Sequence, residues 1–294
     1  MFLAVSKEGH FGRAAESLGI TQPSLSAGIK QLEEQLGVQL IFRGSRYGGL
    51  TPEGQSALVW ARKIVGDARQ LRQEMRATRH GLSGVIRIAV IPTALTWAAR
   101  LSATFGERHP NVRFTILSRS SAEILSLIEN LDVEAGISYL DNEPMGRVVT
   151  EPLYRERYCL VCGADDPLAA HDAVGWADLA GLRLCLLTPD MQNRRIVNRC
   201  FAEAGIVPEA MVEANSTMVL AAHVETGGWA TILPSDTAAF LTAGKPMRAV
   251  PITGGPQDHA VGLVAPWRDP HTPVLDALLS ETRRLASTIG NTAY

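Results

Sequence analysis

Cysteine is scarce in this chain of 294 residues, whose four cysteines are Cys159, Cys162, Cys185 and Cys200. These positions lack the closely spaced pairs that form the disulfide framework of small secreted proteins. Cys159 and Cys162 have CxxC spacing, but they lie in an apolar segment that predicts a strand, where side chains three residues apart point to opposite faces. We therefore expect structural thiols in a reducing cytoplasm, and neither a metal site nor a redox pair.

Long apolar runs and export signals are also missing. Residues 1–5 are too short for the apolar core of a signal peptide, and no uncharged apolar run approaches the roughly 20 residues of a membrane span. The sequence predicts a soluble, cytoplasmic protein with no membrane partner.

Short catalytic motifs are absent as well. The sequence contains no GxSxG, HExxH or phosphate-binding loop and no recognisable acidic dyad. We expect that the protein is not an enzyme and needs no cofactor. The alternative from another class is a two-lobed enzyme or solute-binding protein, although a periplasmic solute-binding protein would need an export signal.

Charge is distributed unevenly along the chain. The overall charge is −2, but residues 1–80 carry a net +4 and the remainder a net −6. Because Lys and Arg supply most of the non-specific affinity for phosphates, only the N-terminal part suits a polyanion. Chance segregation of charge would give the same asymmetry.

Residues 13–36 contain two short helical patterns separated by a tight turn. Gly19 stands where a positive φ would let the chain reverse, Thr21 can cap the second helix, and Pro23 fits its first turn. The apolar positions that define the two faces are Ala14, Ala15 and Leu18, and then Leu25, Ile29, Leu32 and Leu36. This pattern predicts a helix-turn-helix, and a two-helix corner of any α-helical domain is the alternative.

The N-terminal end of the second helix carries side chains suited to the major groove. Gln22 can pair with an adenine edge, Ser24 and Ser26 can bond bases or phosphate, and Lys30 suits phosphate. A basic, glycine-rich segment at 43–49 then predicts a hairpin wing, whose Arg43 and Arg46 can reach phosphates or a narrow minor groove.

A long helix is predicted from Thr51-Pro52-Glu53, which combines a hydroxyl cap, Pro at the first position and a carboxylate at the positive end of the dipole. Its apolar residues recur at alternating spacings of four and three, as in a helix pair. We expect a dimer seam, although packing within one chain gives the same pattern. The predicted seam residues are Ala57, Ala61, Ile64, Ala68, Leu71 and Met75.

Several of these motifs together resemble the LysR-type transcriptional regulators. The resemblance covers residues 9–18, 21–26, 29–43 and 50–54 in register. It implies a winged helix-turn-helix, a linker-helix dimer that usually assembles into a tetramer, and a two-lobed effector domain. The predicted DNA contacts are Thr21, Gln22, Pro23, Ser24, Ser26, Ala27, Lys30, Arg43, Arg46 and Thr51.

The sequence departs from that family at two places. About ten residues that usually come first are missing, so the chain is expected to start inside the first helix. Ala27 stands where most members carry Arg, so base readout would depend on Gln22, the neighbouring serines and Lys30, or on contact of Ala27 with a thymine methyl.

The remaining residues alternate between strand and helix patterns in two series, which predicts an α/β fold with two lobes. With the resemblance, the fold class is a winged helix-turn-helix, a long linker helix and a C-terminal effector domain like a periplasmic binding protein. The predicted domains are residues 1–51, 52–80 and 84–294, with lobe I about 84–160 and 265–294 and lobe II about 163–264. Strands at 158–162 and 261–265 are expected to cross between the lobes.

Ligands of open α/β sheets bind at the carboxyl ends of strands, beside helix N-termini that favour anions. This rule, with the family resemblance, selects Thr93, Ser120, Ser121, Thr188 and Ser216 as effector contacts. Helix capping is the alternative role for each hydroxyl, and 120–123 fits a capping box. Arg119 would add a positive charge, so we expect a small carboxylate or another anion; His223 is expected to be structural or solvated.

The expected partners are double-stranded DNA, this anionic effector, and further copies of the chain in a homodimer or homotetramer. The resemblance also admits RNA polymerase as a partner. Residues 91–95 and 137–144 faintly resemble regulators associated with formate dehydrogenase operons.

Overall fold

A computed structural model describes residues 1–42, 47–141, 145–255, 259–267 and 270–290, with backbone only at 76–80 and 289–290. The chain divides into two compact units, the first comprising residues 1–79 with 129–132, and the second the rest from residue 80. The helices of the first unit are α1 (Phe2–Glu8), α2 (Phe11–Ser17), α3 (Gln22–Leu36) and α4 (Pro52–His80).

The helices and strands of the second unit alternate along the chain. In order they are β1 (Gly84–Val90), α5 (Leu95–Arg108), β2 (Val112–Ser118), α6 (Ser121–Glu129), β3 (Ala135–Tyr139), β4 (Val148–Glu156), β5 (Tyr158–Gly163), β6 (Val174–Gly175), β7 (Leu184–Leu187), α7 (Gln192–Glu203), β8 (Ala210–Ala214), α8 (Thr217–Glu225), β9 (Thr231–Pro234), α9 (Ser235–Thr242), β10 (Met247–Thr253), β11 (His259–Pro266) and α10 (Pro273–Gly290).

The core of the first unit lies between α1, α2 and α3. Leu25 and Ile29 of α3 are buried in it, and Gly19 takes φ 65° in the turn, as predicted. Two of the apolar positions that define the helix faces in the sequence are exposed: Leu18 is 42% exposed and Leu36 is 51% exposed. Leu18 is the C-cap of α2 and Leu36 is the last residue of α3, so both lie where their helices leave the core.

The first sheet of the second unit has the order β2-β1-β3-β11-β4. β1 pairs in parallel with β2 and β3, which are connected to it through α5 and α6, and β11 runs antiparallel to both β3 and β4. Gly262 of β11 allows a close approach to β4, because a Cβ there would lie 2.3 Å from the carbonyl oxygen of Glu151. Parallel connections of this kind place the carboxyl ends of β1, β2 and β3 at the same edge of the sheet.

A four-stranded sheet, β6-β10-β5-β9, and a parallel pair, β7-β8, form the second lobe. The chain crosses between the lobes directly after Glu156 and again between β10 and β11. The crossing strands were predicted at 158–162 and 261–265, but β5 pairs entirely within the second lobe and β11 entirely within the first. The bounds of the lobes therefore shift, since each strand stays hydrogen-bonded within one sheet.

The four cysteines are all buried, and Cys159 and Cys162 face different parts of the core, as expected for positions three apart on β5. Within the residues that the structure describes, no helix is long and apolar enough to cross a membrane.

Candidate DNA interface and effector cleft

Helix α3 presents one polar face to solvent. Gln22, Ser26 and Lys30 follow one another at spacings of four and are exposed, while Leu25 and Ile29, on an adjacent face of the helix, are buried in the core. Thr21, Pro23, Ser24 and Ala27 are exposed beside this row. Lys30 reaches Glu34 at 3.6 Å, an exposed pair that leaves its ammonium group accessible. The structure thus brings together all the predicted contacts on α3.

The start of α3 is fixed by side-chain caps. The Thr21 hydroxyl accepts a hydrogen bond from the Ser24 backbone N–H at 3.3 Å, as predicted for an N-cap. At the start of α2, Nδ1 of His10 accepts from the backbone N–H groups of Gly12 and Arg13 at 3.0 and 3.3 Å. These caps satisfy backbone N–H groups in the first turns of α2 and α3 and so stabilise the exposed start of α3.

A hairpin follows α3, and Glu33 ties it to that helix. Oε1 of Glu33 accepts from the backbone N–H groups of Leu40 and Ile41 at 2.7 and 3.2 Å. Ile41 forms an antiparallel bridge with Leu50, which forms the base of the predicted wing. Arg43 and Arg46, the predicted wing contacts, lie outside the described residues.

Thr51 is placed where a contact with DNA is difficult. Its side chain is buried, its hydroxyl donates to the Gln39 carbonyl at 2.6 Å, and its oxygen accepts from the Gly54 N–H at 2.9 Å. Thr51 therefore has the predicted capping role. The predicted DNA contact is disfavoured, because both hydrogen bonds of the hydroxyl are made inside the first unit.

The predicted seam of α4 divides into two parts. Ala57 and Ala61 pack against the N-terminal core, so they are occupied within one chain. Farther along the helix, Ile64, Leu71 and Met75 are 63%, 58% and 55% exposed. Ala68 and Trp60 are also exposed on the same face of the helix. We call these five exposed residues the α4 stripe. Such a stripe of large apolar side chains is typical of a helix that pairs with a partner.

A cleft of about 720 Å³ opens in the second unit between the two lobes. On the side of the first lobe it is lined by residues that follow β1 and β2, including Pro92 and Ser118–Ser120, and by the start of α5. On the side of the second lobe it is lined by 215–218, at the start of α8, and by Phe240 of α9. The cleft therefore lies at the carboxyl ends of the parallel strands, as the rule for α/β sheets predicts.

Two of the predicted effector residues line this cleft, Ser120 and Ser216. The hydroxyl of Ser120 is engaged in a capping box with Glu123, whose Oε2 accepts from the Ser120 N–H and hydroxyl at 2.9 and 3.0 Å. The Ser216 hydroxyl makes no capping hydrogen bond to α8, so it is available to a ligand.

The other three predicted effector residues are not among those that line the cleft. Thr93 and Ser121 are buried behind it, and the Thr93 carbonyl accepts from the hydroxyl of the cleft residue Thr237 at 2.8 Å. The Thr188 hydroxyl is buried and has no hydrogen-bond partner among the described residues. Thr93 therefore contacts the cleft residue Thr237 through its backbone carbonyl, while its own side chain is buried in the core.

Charged side chains at the cleft have a positive excess. Arg119 lines it and is exposed, with Nη1 donating to the Ser118 carbonyl at 2.6 Å. Arg100 also lines it, stacked 4.5 Å over the ring of Trp97 and 3.7 Å from Asp236. Among the described residues that line it, Glu123 is the acidic one. These groups, beside the N-terminus of α8, favour an anion.

Sequence reasoning missed the apolar side of the cleft. Met218 and Phe240 line it on the side of the second lobe and are 58% and 66% exposed, and Leu95 and Met191 also line it. Phe240 belongs to α9, which had not been predicted; the Ser235-Asp236 pair that opens the helix was the available signal.

Comparisons with known proteins agree with this architecture. Residues 1–55 match the bacterial regulatory helix-turn-helix protein of the lysR family, and residues 79–287 match the LysR substrate binding domain. The regulator YfeR of Shigella flexneri is 28% identical, over 86% of this chain and 82% of its own length. OxyR of Escherichia coli is 28% identical, over 79% of this chain and 76% of its own.

Solved structures share the fold. A full-length OxyR variant from Pseudomonas aeruginosa has a TM-score of 0.74 and 24% identity, covering 96% of this chain and 92% of its own. CbnR in complex with its target DNA has a TM-score of 0.62 and 21% identity, with 97% of each chain covered. Because the matched families account for both units, the chain belongs to the LysR family of DNA-binding transcriptional regulators.

Proposed function

We propose that this chain regulates transcription by inserting α3 into the major groove of double-stranded DNA as a homodimer or homotetramer, under control of an anionic effector. In this proposal residues 1–51 bind DNA, 52–80 join the protomers, and 84–294 bind the effector. The observation that carries the DNA-binding part is the exposed row of Gln22, Ser26 and Lys30 on a helix whose adjacent face is fixed in the core.

The DNA contacts can be separated by two substitutions in the full chain. Gln22→Ala should reduce affinity at one base pair by about 1–3 kcal/mol, because a bidentate contact to a base edge is lost. Lys30→Ala should instead weaken binding to every sequence and flatten its salt dependence. Binding to a set of single-base variants of the upstream region, measured at several salt concentrations, distinguishes the two effects.

The same measurements can contradict the assignment. If Gln22→Ala lowers affinity equally on all sequences, Gln22 contacts the backbone and does not read a base. Gln31→Ala serves as a matched control, since Gln31 is an exposed glutamine one position after Lys30, and its loss should leave sequence preference unchanged.

We infer that the effector is an anion with an apolar body. Arg119 of the first lobe and the hydroxyl of Ser216 suit a carboxylate, while Met218 and Phe240 of the second lobe offer an apolar surface. A cleft of about 720 Å³ leaves room for such a molecule.

Calorimetric titration with benzoate and its neutral amide tests this inference. We expect benzoate to bind more tightly than benzamide, and Arg119→Ala to weaken benzoate roughly tenfold or more, because a charge-assisted hydrogen bond is lost. Arg113→Ala is the matched control, since Arg113 lies at the opposite end of β2. Preference for the amide, or equal loss in both variants, would count against an anion held by Arg119.

Thiol-based sensing, suggested by a relative described as a hydrogen peroxide-inducible genes activator, is a poorer candidate for this chain. Burial raises the pKa of Cys162, Cys185 and Cys200 to about 11, and it also raises that of Cys159. Because the thiolate is the reactive form, thiols in such surroundings react slowly with peroxide.

A further inference from the structure

Glu156 is a buried carboxyl group at the crossing between the lobes. It is the last residue of β4, in the first sheet, and Tyr158 two positions later begins β5 in the second. Its side chain is 1% exposed. An acidic residue in such a place requires an explanation, because transfer of a carboxylate out of water is costly.

Hydroxyl groups surround this carboxyl. Tyr139 donates to Oε2 at 2.6 Å, Tyr158 donates to the same oxygen at 3.3 Å, and Tyr154 donates to Oε1 at 3.2 Å. We call Glu156 and these three tyrosines the Glu156 cluster. Its hydroxyls come from both sheets, so the state of the carboxyl affects both sides of the crossing.

Two opposing effects act on the proton affinity of Glu156. Burial raises its pKa, while the hydrogen bonds from Tyr139, Tyr154 and Tyr158 stabilise the ionised form and lower it. Burial is the larger effect, and the pKa rises to about 7 from an ordinary value of 4.5. The carboxyl therefore titrates in the physiological range.

We propose that Glu156 is a proton-operated switch at the junction of the lobes. In the protonated state the cluster is neutral and the junction is tight. In the ionised state a buried negative charge is held by the hydroxyl groups of the cluster, and the junction loosens. The Tyr139 hydroxyl must then be a donor, whereas a protonated carboxyl can donate to it, so the hydrogen bonds have two arrangements.

Other polar groups face the cluster from the elements packed around it. His259 of β11 is directly opposite Glu156 in the strand register, and its ring meets that of Tyr139 edge-on with centroids 6.4 Å apart. Asp141 lies 3.6 Å from Nδ1 of His259, and Asn193 of α7 reaches the Tyr139 oxygen at 3.5 Å. The charge of Asp236 of α9 helps to raise the pKa of Tyr154. The experiment must therefore distinguish the effect of Glu156 from that of its neighbour His259.

The sign of the pH effect follows from the raised pKa. The folded protein binds the Glu156 proton more tightly than the unfolded chain does. The protonated carboxyl therefore makes its full contribution to the free energy of unfolding below pH 4.5, and this contribution is lost as the pH rises through about 7. Glu156→Gln, which keeps the shape without the charge, should remove this loss.

Infrared difference spectroscopy of the full chain detects the switch directly. Spectra between about pH 5.5 and about pH 8.5 exclude carboxyls of ordinary pKa, which are already ionised. We expect the carbonyl band of a protonated acid to disappear with a midpoint near 7, and to be absent in Glu156→Gln. Tyr139→Phe should shift the midpoint upward, because the shortest donor to the ionised form is lost.

His259→Gln is the control for the neighbouring histidine and should leave the band and its midpoint in place. Amide exchange in residues 158–161, corrected for its intrinsic pH dependence, should accelerate in step with ionisation in the wild type and not in Glu156→Gln. A band that persists in Glu156→Gln, a midpoint that follows His259 but not Tyr139, or exchange that is the same in wild type and Glu156→Gln would overturn the proposal.

Discussion

Gly54→Ala is expected to destabilise the first unit by about 3 kcal/mol and with it to abolish DNA binding. A Cβ on residue 54 would lie 1.9 Å from the carbonyl oxygen of Leu40 and 2.8 Å from its carbonyl carbon. Both are backbone atoms at the base of the wing, so no rotamer change can relieve the clash. The helix must move away from the hairpin, and the Thr51 cap is lost with that movement.

Gly106→Ala is the matched control, because Gly106 also lies within a helix but a Cβ there would meet nothing within 4 Å. Alanine is the better helix former by about 1 kcal/mol, so this variant should be as stable as the wild type or more so. Denaturant unfolding and retention on DNA would measure both effects. Equal stability of the two variants would show that α4 and the hairpin can separate without cost.

Leu71→Asp should convert the protein to monomers and lower its affinity for a two-half-site operator by roughly 100-fold or more. Leu71 is 58% exposed in the centre of the α4 stripe, between Ile64 and Met75. Within a dimer seam, a carboxylate there would be buried against apolar side chains without a partner. Loss of the dimer also removes the simultaneous engagement of two half-sites on which affinity depends.

Sedimentation or light scattering tests this expectation, with Gln55→Asp as the control. Gln55 is exposed on the same helix, on the side opposite the α4 stripe, and its replacement adds the same charge. The control should remain a dimer. If Leu71→Asp is also a dimer, the protomers associate through another surface.

The first unit could be predicted well because its signals are local. Thr21, Gly19 and Pro23 act within one or two turns of their own backbone, so the sequence alone defines the helix-turn-helix. Ala57 and Ala61 show the limit of such signals. Their spacing fits a dimer seam, yet they pack within one chain, since periodicity identifies an apolar face without identifying its partner.

The elements missed in the second unit depend on distant partners. β4 contains Pro152 and alternates poorly, because it is an edge strand that pairs with β11 across a register shift. α9 and α10 were also missed, although strands were predicted before each of them. Two hydroxyls predicted for the cleft turned inward: Thr93 and Ser121 are 1% and 2% exposed and do not line it.

The register of β4 and β11 has a consequence for the ancestry of the second lobe. Glu156, where the chain leaves the first sheet, and His259, where it returns, are directly opposite each other on neighbouring strands. A segment whose two ends are adjacent can be inserted or exchanged with little disturbance to its host. The lobe therefore has the form of a cassette, which recombination could transfer between relatives to supply a new ligand specificity while the first sheet and the DNA-reading helix are retained.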